Sequence, residues 1–443
     1  MLAFVSLLAM ASGGAPEGAI DVGAAAVEIR AEASMTIGGG IQGWKTDRQE
    51  GKLRATAVVL RRGTTKLAVV ACDVLMLTRD IVDPALEEIT RSCNISGDHV
   101  LVNASHTHHA PSTVTVHGYE RDEIFCRRTT EAIVAAVKHA DAKLAPGRRL
   151  FFRLGEESSV GQNSRLLLKD GTIFWIGPRD DAVRPTGPFD PELPVLAFKD
   201  ERGKIDALLF NHSTHTIGTR GGAVRSPSFY GLAAQELEAE LGGVVGFLEG
   251  ASGSTHNLSL GCDETVVRIK QSVTDALAKA EARPVHRLAA RKRSFPARVR
   301  RFNEEQQDRA VADYCRKRNP QGAAATIEVF RAMRRRLAPL QGTERTTSVQ
   351  ALVIGDIAFV GVPAEFFTVL GQDIKRRSPF RYTYVAELAN DWIGYTPDRK
   401  AFELGGYQTW MGLHSYTEVG TGEALVDAAV ELLNELAAES RTP

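Results

Sequence analysis

Short apolar runs typical of strands alternate along the chain with segments whose apolar residues recur at helical spacing. Residues 55–60 and 66–73 form two strand-like runs around R-R-G-T-T, a pattern typical of a β-hairpin. Residues 79–91 and 121–144 then carry the spacing of amphipathic helices. Because strands and helices interleave in this way, the sequence predicts an α/β fold with a mixed β-sheet core and flanking helices.

One segment departs from this alternation. Residues 303–340 are helical in pattern throughout, apart from a break at N-P-Q-G, residues 319–322. Pro and Gly at such a break end one helix and allow the chain to turn before the next. The segment therefore predicts a helical hairpin inserted between strands. We expect it to belong to one large domain that spans residues 20–443.

The charge balance argues against nucleic acid as a bulk partner. The 443 residues include 54 basic and 54 acidic side chains, so the formal net charge is zero. A chain that binds nucleic acid usually carries a basic excess or a basic stripe. The five cysteines lack C-x-x-C spacing and therefore predict neither a zinc knuckle nor a disulfide framework.

Residues 1–19 begin with a short apolar run that is followed by small residues. This pattern resembles the later part of a secretory signal peptide, although the basic region that normally opens one is missing. It predicts export to the periplasm or the extracellular space; an unstructured leader is the alternative. The run is too short to span a bilayer, and no other segment approaches that length, so we expect no transmembrane segment.

The densest cluster of chemically active side chains is V-N-A-S-H-T-H-H-A-P, residues 102–111. The apolar residues that precede it predict a buried strand ending at the histidines. Alternate residues of an extended chain share a face, so His106 and His108 can point into one cavity while His109 points away. Paired imidazoles are common zinc ligands. A polar loop that contains histidines by chance is the alternative.

Three further segments carry polar groups at the ends of predicted strands. They are N-H-S-T-H at residues 211–215, P-A-E-F at residues 363–366 and N-D-W-I-G-Y at residues 390–395. A hydrolytic zinc site needs roughly three or four nitrogen and oxygen ligands, with one position open to water or substrate. Two histidines, a glutamate and a phenol would satisfy this need. We therefore expect a Zn²⁺ site where these segments and the first histidine cluster meet.

The order of these motifs resembles the neutral/alkaline (non-lysosomal) ceramidase family, and above all the catalytic domain of its shorter bacterial members. The resemblance extends from about residue 20 to the final helix. It rests on I-Q-G-W, L-R-A-T-A-V-V-L, A-C-D-V-L, S-H-T-H, N-H-S-T, F-L-E-G-A-S-G, P-A-E-F, N-x-W-x-x-Y and G-G-Y. It implies a ceramidase-like catalytic domain that hydrolyses an amide in a small-molecule or lipid-like substrate.

The resemblance also implies roles for individual residues. The family's metal ligands fall on His106, His212, Glu365 and Tyr395. The family tyrosine that stabilises the tetrahedral oxyanion falls on Tyr407, and His108 matches a histidine suited to proton transfer. His109 and His215 have no family counterpart, so we expect them to support the site rather than bind the metal.

The sequence departs from the family at three positions. Ser228 and Ser254 stand where family members usually carry aspartates, and His256 stands where ceramidases carry the serine proposed as nucleophile. Attack by a metal-bound water needs no such serine, so we assign His256 to the catalytic group instead. With the two acids lost and His215, His256 and Arg225 present, we expect a more cationic pocket than the family's, which would suit an anionic substrate.

The leading interpretation is a zinc-dependent amidohydrolase that cleaves an N-acyl compound by attack of a metal-bound water. A second interpretation keeps the metal and changes the bond to an ester or a lactone. A third, motivated by the two missing acids, is a non-catalytic homologue that binds zinc or a ligand.

Overall fold

The computed structural model describes residues 17–439. Its strands are β1 (Ile20–Glu28), β2 (Arg54–Arg62), β3 (Thr65–Cys72), β4 (Val100–Ala104), β5 (Ala145–Glu156), β6 (Gln162–Asn163), β7 (Leu166–Leu168), β8 (Ala182–Pro185), β9 (Glu192–Lys199), β10 (Ile205–His212), β11 (Val244–Glu249), β12 (Thr255–His256), β13 (Glu281–Arg283), β14 (Leu288–Arg298), β15 (Glu344–Ile354), β16 (Ile357–Gly361), β17 (Glu365–Phe366), β18 (Tyr382–Ala386) and β19 (Tyr395–Thr396).

Its α-helices are α1 (Arg79–Cys93), α2 (Glu123–Ala142), α3 (Ser228–Leu241), α4 (Cys262–Ala278), α5 (Glu304–Arg318), α6 (Ala323–Leu337), α7 (Thr368–Arg377), α8 (Arg399–Leu404) and α9 (Thr421–Glu439). Short 3₁₀ turns lie at Gly97–His99, Ala338–Leu340 and Tyr407–Thr409.

Two mixed sheets form the centre of the fold. The larger sheet has the strand order β11-β10-β9-β5-β1-β2-β3-β4, with β13 paired to β5. Its pairs β3–β4 and β10–β11 are parallel, whereas β1–β2, β2–β3 and β9–β10 are antiparallel. The second sheet has the order β14-β15-β16-β18, of which β16–β18 is the parallel pair. The prediction of an α/β fold with a mixed β-sheet core is therefore confirmed.

Most central strands are buried on both faces, and alternate residues enter different cores. In β2, Val58 belongs to a core that also contains Leu209 of β10 and Phe359 of β16. Its neighbour Val59 belongs to the core formed with α1 and α2. This explains why the strands are nearly continuous apolar runs rather than alternating apolar and polar residues. The core that contains Val58, Leu209 and Phe359 holds the two sheets together, and it also joins the two halves of the larger sheet.

Helices cover the outer faces of these sheets. Helices α1 and α2 pack on β1–β4, α3 and α4 pack on β5 and β9–β11, and α7 and α9 pack on the second sheet. Helix α2 begins where the Asp122 side chain accepts a hydrogen bond from the Phe125 backbone amide at 2.8 Å, as an N-cap residue does. None of the helices between residues 17 and 439 is long and apolar enough to cross a bilayer.

The inserted helical hairpin is present. Helices α5 and α6 lie between β14 and β15, and the chain turns between them at residues 319–322. Tyr314 and Phe330 of the hairpin are buried in the core beside Trp175 and Trp410, which belong to loops. The hairpin thus supports the loops that form one wall of the functional site described below.

The expected export leader lies almost wholly in residues 1–16, outside the described residues, so export stays a prediction. All five cysteines lie within the described range, where they are buried and unpaired with one another. This agrees with the absence of a disulfide framework in the sequence pattern.

Gly23 sets how closely α2 can approach β1. A Cβ atom at this position would lie 2.0 Å from the Ala140 carbonyl oxygen, which is a backbone atom in α2. We expect Gly23→Ala to push the helix from the sheet and to lower the free energy of unfolding by about 1–3 kcal/mol. Chemical denaturation measures this change.

Gly97→Ala is the matched control, because its nearest neighbour would be Leu86 Cβ at 3.6 Å, an ordinary van der Waals distance. We expect an effect within about 0.5 kcal/mol for this variant. Equal destabilisation by the two substitutions would contradict the close approach of α2 to β1 as the cause.

Candidate metal centre

Three histidines from two distant loops meet in the interior. His106 and His108 follow the end of β4, and His215 follows the end of β10. The Nε2 atoms of His106 and His108 are 3.1 Å apart. One ring nitrogen from each of the three imidazoles lies within 4.8 Å of the other two. The structure therefore gathers three potential nitrogen ligands around one point.

Backbone carbonyl groups fix the orientation of all three rings. Each ring directs Nδ1 to a carbonyl oxygen at 2.8–2.9 Å, those oxygens belonging to Leu75 for His106, Gly39 for His108 and Ser252 for His215. A carbonyl can only accept, so each Nδ1 carries the hydrogen and donates it. Each Nε2 is then left with its lone pair. Metal-binding histidines are characteristically held in this way.

The lone pairs of His106 and His108 consequently face each other. Burial lowers the pKa of His106 to about 4, and burial lowers the pKa of His108 well below its ordinary value. Neither ring is therefore protonated near neutral pH to relieve the repulsion between the two lone pairs. A metal ion placed between the two Nε2 atoms would turn this repulsion into two coordinate bonds. The donor set fits a cation for this reason.

Glu365 and Tyr395 lie next to each other beside the three histidines. Parallel pairing of β17 with β19 places Glu365 opposite Tyr395 in the register. One carboxylate oxygen of Glu365 lies 3.7 Å from His106 Nε2 and 3.5 Å from His215 Nε2. Its other oxygen accepts a hydrogen bond from the Trp392 indole at 3.1 Å. The Tyr395 hydroxyl donates to His215 Nε2 at 2.9 Å.

A buried carboxyl group joins the two segments that deliver these residues. Glu387 accepts from the Ser252 hydroxyl at 2.7 Å and backbone amide at 3.0 Å, and from the Phe366 amide at 2.7 Å. Ser252 is the residue whose carbonyl orients His215, and Phe366 directly follows Glu365. Burial raises the pKa of Glu387 well above its ordinary value. The sequence pattern gave no reason to select this residue.

His212, expected from the sequence to bind the metal, lies outside this group. Its Nε2 donates to the Glu157 carbonyl oxygen at 2.9 Å, and its Nδ1 accepts from the Tyr230 hydroxyl. The reason is strand alternation: His212 ends β10 two residues after Phe210 and therefore points to the same side of the sheet, toward α3. His212 is therefore not a member of the histidine cluster, and His215 lies beside His106 and His108 instead.

Tyr407 lies at the edge of the site with its ring held on both faces. Trp175 stacks on it at 4.6 Å and His414 at 4.7 Å, measured between ring centroids. Its hydroxyl lies 3.0 Å from His117 Nε2. The Tyr395 and Tyr407 ring centroids are 5.7 Å apart. Tyr407 thus presents a fixed hydroxyl in the wall of the cavity that His108 and His215 also line. Burial raises its pKa well above the ordinary value, so this hydroxyl keeps its proton.

His256 also faces the site, in a different way. Its ring stacks on His215 at 4.1 Å between centroids, and it lines the adjoining cavity. Burial lowers the pKa of His256 well below its ordinary value, so the ring is neutral. Ser254, which precedes it by two residues, is buried and donates to the Thr368 hydroxyl at 3.1 Å. Ser228 is also buried and donates to the Gly218 carbonyl at 2.6 Å.

The cavity beside the metal centre has a volume of about 290 Å³. Its wall contains histidines, tyrosines and apolar side chains, including Ile41, Phe174, Ile217 and Leu258. Among residues 17–439, no lysine, arginine, aspartate or glutamate lines it. Arg225, which we expected to make the pocket cationic, instead donates to the Thr46 carbonyl at 2.6 Å. The cavity suits an uncharged group rather than the anionic one expected from the sequence.

Comparisons with known proteins were made on sequence and on structure. No protein-family model matches the chain. Neutral ceramidase from Pseudomonas aeruginosa is 27% identical over 162 residues, which are 34% of this chain and only 22% of that protein. The crystal structure of neutral ceramidase from Pseudomonas aeruginosa superimposes with a TM-score of 0.75 and 19% identity, over 95% of this chain and 75% of that one.

A second solved structure, a ceramidase complexed with C2, gives a TM-score of 0.74 with 18% identity, over 95% of this chain and 76% of that chain. The fold likeness therefore extends over nearly the whole chain, whereas the sequence likeness is confined to about a third of it. Together the comparisons confirm the resemblance to the neutral ceramidase family.

The two histidines of the N-H-S-T-H motif provide a direct test of the ligand geometry. We expect His215→Ala to weaken zinc binding by more than about 100-fold, since even partners of a metal ligand contribute 10–100-fold. We expect His212→Ala to retain one equivalent of zinc with nearly unchanged affinity. Titration of the stripped proteins against a competing chromophoric chelator measures both values.

Far-ultraviolet circular dichroism of the two variants controls for loss of fold. Loss of zinc from His212→Ala together with its retention by His215→Ala, in folded proteins, would contradict the geometry described here.

Proposed function

We propose that this chain, which shares the fold of neutral ceramidase, is a zinc-dependent amidohydrolase that cleaves an N-acyl compound. The single observation that carries this proposal is the convergence of three oriented imidazoles, a carboxylate and a phenol beside a cavity of about 290 Å³. A donor set of nitrogen and oxygen ligands next to a substrate-sized cavity is typical of hydrolytic metal sites.

We assign the ion to His106, His108 and His215, with Glu365 and Tyr395 as oxygen donors at the same centre. The imidazoles are neutral donors with oriented lone pairs, and the carboxylate would balance part of the metal's charge. A bound zinc ion would supply a Lewis acid that polarises the scissile carbonyl and lowers the pKa of a water. His108, expected from the sequence to transfer protons, belongs to the donor set in this proposal.

Two residues of the cavity wall have roles outside the donor set. The stacked and protonated Tyr407 is positioned to donate a hydrogen bond to the oxygen that becomes negative in the transition state. We assign to His256, a neutral imidazole of the cavity that lies outside the donor set and stacks on His215, the role of accepting a proton from water and returning it to the leaving amine. Both roles use groups that the surrounding residues already hold in place.

The substrate class follows from the cavity wall. Because the lining residues within the described range carry no fixed charge, a neutral acyl amide with an apolar substituent fits better than a charged one. The cavity volume of about 290 Å³ suits the reacting end of such a substrate. A lipid-like N-acyl compound would have to leave most of its chain outside this cavity.

A non-catalytic zinc-binding homologue is the second candidate. Ser228 and Ser254 favour it, because both are buried and hydrogen-bonded within the protein rather than directed at the metal centre. These residues replace acids that the family usually carries. Ester or lactone hydrolysis uses the same metal centre and differs only in the leaving group.

Removal of the metal distinguishes a zinc-dependent hydrolase from a non-catalytic zinc-binding protein. We expect hydrolysis in a panel of neutral short-chain N-acyl amides to disappear after treatment with a zinc chelator and to return on addition of zinc. Matched esters and lactones in the same panel identify the preferred bond. Stoichiometric zinc binding without turnover of any panel member would contradict the proposal and favour the non-catalytic homologue.

Tyr407→Phe tests the hydrogen bond to the developing oxyanion. We expect kcat to fall by about 10²–10³-fold with little change in KM, because the bond forms in the transition state. Steady-state kinetics on the best amide measures both constants.

Tyr384→Phe is the matched control, since its hydroxyl is buried on β18 without a hydrogen-bond partner among the described residues. We expect its kinetics to be unchanged. A fall in kcat that is equal in the two variants would contradict a specific role for Tyr407.

A further inference from the structure

A second and larger cavity lies on the other side of the wall formed by the loops around Trp175 and Tyr407. Its volume is about 630 Å³. One side is helix α5 of the inserted hairpin, and the other includes Phe402, Leu404 and Trp410. None of the groups assigned above to metal binding or catalysis lines this cavity.

Arg300 lines this cavity and lacks an acidic partner. Its Nη2 donates to the Thr409 carbonyl oxygen at 2.9 Å, and its guanidinium lies over the Phe402 ring at 4.9 Å from the centroid. No carboxylate among residues 17–439 forms an ion pair with it. Burial lowers its pKa to about 10, so the charge persists at neutral pH. A partly buried guanidinium without a carboxylate partner gains free energy when an anion binds beside it.

The two acidic residues that line the same cavity are Asp170, which is paired with basic residues, and Asp313, which is distant from Arg300. Asp170 forms ion pairs with Lys317 at 2.5 Å and with Arg318 at 3.3 Å. Gln307 accepts from the Met411 amide, and Arg300 contacts the Met411 sulfur, so the N-terminal part of α5 lies near Arg300. Asp313 lies six residues further along α5, or about 9 Å at 1.5 Å per residue. The Arg300 end is therefore the cationic end.

We propose that this cavity is a second binding site, specific for an amphipathic monocarboxylate, with Arg300 binding the carboxylate and the apolar wall holding the hydrocarbon tail. A guanidinium with free N–H groups matches a carboxylate in geometry and charge. Nε and Nη1 of Arg300 make no hydrogen bond within the described residues and are not sealed from solvent. The volume lies in the range of small-molecule sites. The inference does not depend on the hydrolysis proposed above.

The site adjoins the candidate active site through shared aromatic residues. Trp410 lines the second cavity and contacts Trp175 at 5.5 Å and Tyr407 at 6.4 Å between ring centroids. A ligand beside Trp410 should therefore change tryptophan fluorescence as well as give a heat of binding.

Titration of the full chain with decanoate tests the proposal. Decanol is the probe that lacks the charge, and acetate is the probe that lacks the hydrocarbon tail. We expect decanoate to bind with one equivalent and both probes to bind at least about tenfold more weakly. Calorimetry and tryptophan fluorescence measure the binding, on metal-free protein so that decanoate does not coordinate zinc. Binding of decanol as tight as that of decanoate would overturn the proposal.

Arg300→Gln should weaken decanoate binding at least about tenfold, whereas the exposed neighbour Arg301→Gln should leave it unchanged. Ala310→Phe gives an independent test, because Ala310 is an exposed α5 residue that lines the cavity, and a larger side chain there would fill it. We expect this variant to fold normally and to lose decanoate binding. Binding that survives Ala310→Phe would lie elsewhere and would overturn the assignment, even if Arg300→Gln failed to fold.

Discussion

Three hydrogen bonds from imidazole rings to backbone carbonyl groups determine how the buried histidines are oriented toward a cation. Each of His106, His108 and His215 gives its Nδ1 hydrogen to a carbonyl oxygen. The Nε2 lone pairs of His106 and His108 therefore face each other, while His215 Nε2 accepts from the Tyr395 hydroxyl. The arrangement is unfavourable in an empty dry interior, because lone pairs then face one another. It becomes favourable once a cation is present. The protein thus uses its backbone to hold side chains in a geometry that a bound ion would stabilise.

The surrounding fold provides the rigidity that this geometry needs. The ring-orienting carbonyls belong to segments that follow β1, β3 and β11, and the segment after β11 is tied to β17 by the buried carboxyl of Glu387. Asn103 of β4 accepts from the Glu249 amide of β11 at 2.9 Å, which joins the two edge strands of the larger sheet. These links between distant strands explain why so many polar groups are buried around the site and why most of them have partners.

Much of the fold could be predicted from the sequence, because its strands are apolar runs and its helices carry clear periodicity. The hairpin of β2 and β3 and the inserted pair α5 and α6 were both readable from turn residues alone. His106, Glu365 and Tyr395 were likewise selected at the ends of predicted strands, and the structure brings them together. These predictions share one basis: each depends on a local sequence pattern and on the tendency of strand ends to carry functional residues.

The choice between His212 and His215 shows where that reasoning failed. Motif order alone favoured the first histidine after the strand, whereas the alternation of Leu208, Phe210 and His212 places that ring in the helix-covered core. The alternation was present in the sequence and would have favoured His215. Other roles could not be predicted from the sequence, namely those of Arg300, Glu387 and the aromatic residues that support Tyr407. These roles depend on contacts between residues far apart in the sequence, which no local pattern encodes.

The donors of the proposed metal centre come from distant parts of the chain, since His106 follows β4 and Tyr395 lies in β19. No fragment of the folding chain that lacks β17 and β19 could assemble the full set. Binding of the metal by the full donor set would then have to wait until the segment that contains Tyr395 has been synthesised and folded. The ion would also cross-link the loops that follow β4 and β10 to the β17–β19 pair, so its loss would weaken the contact between these segments.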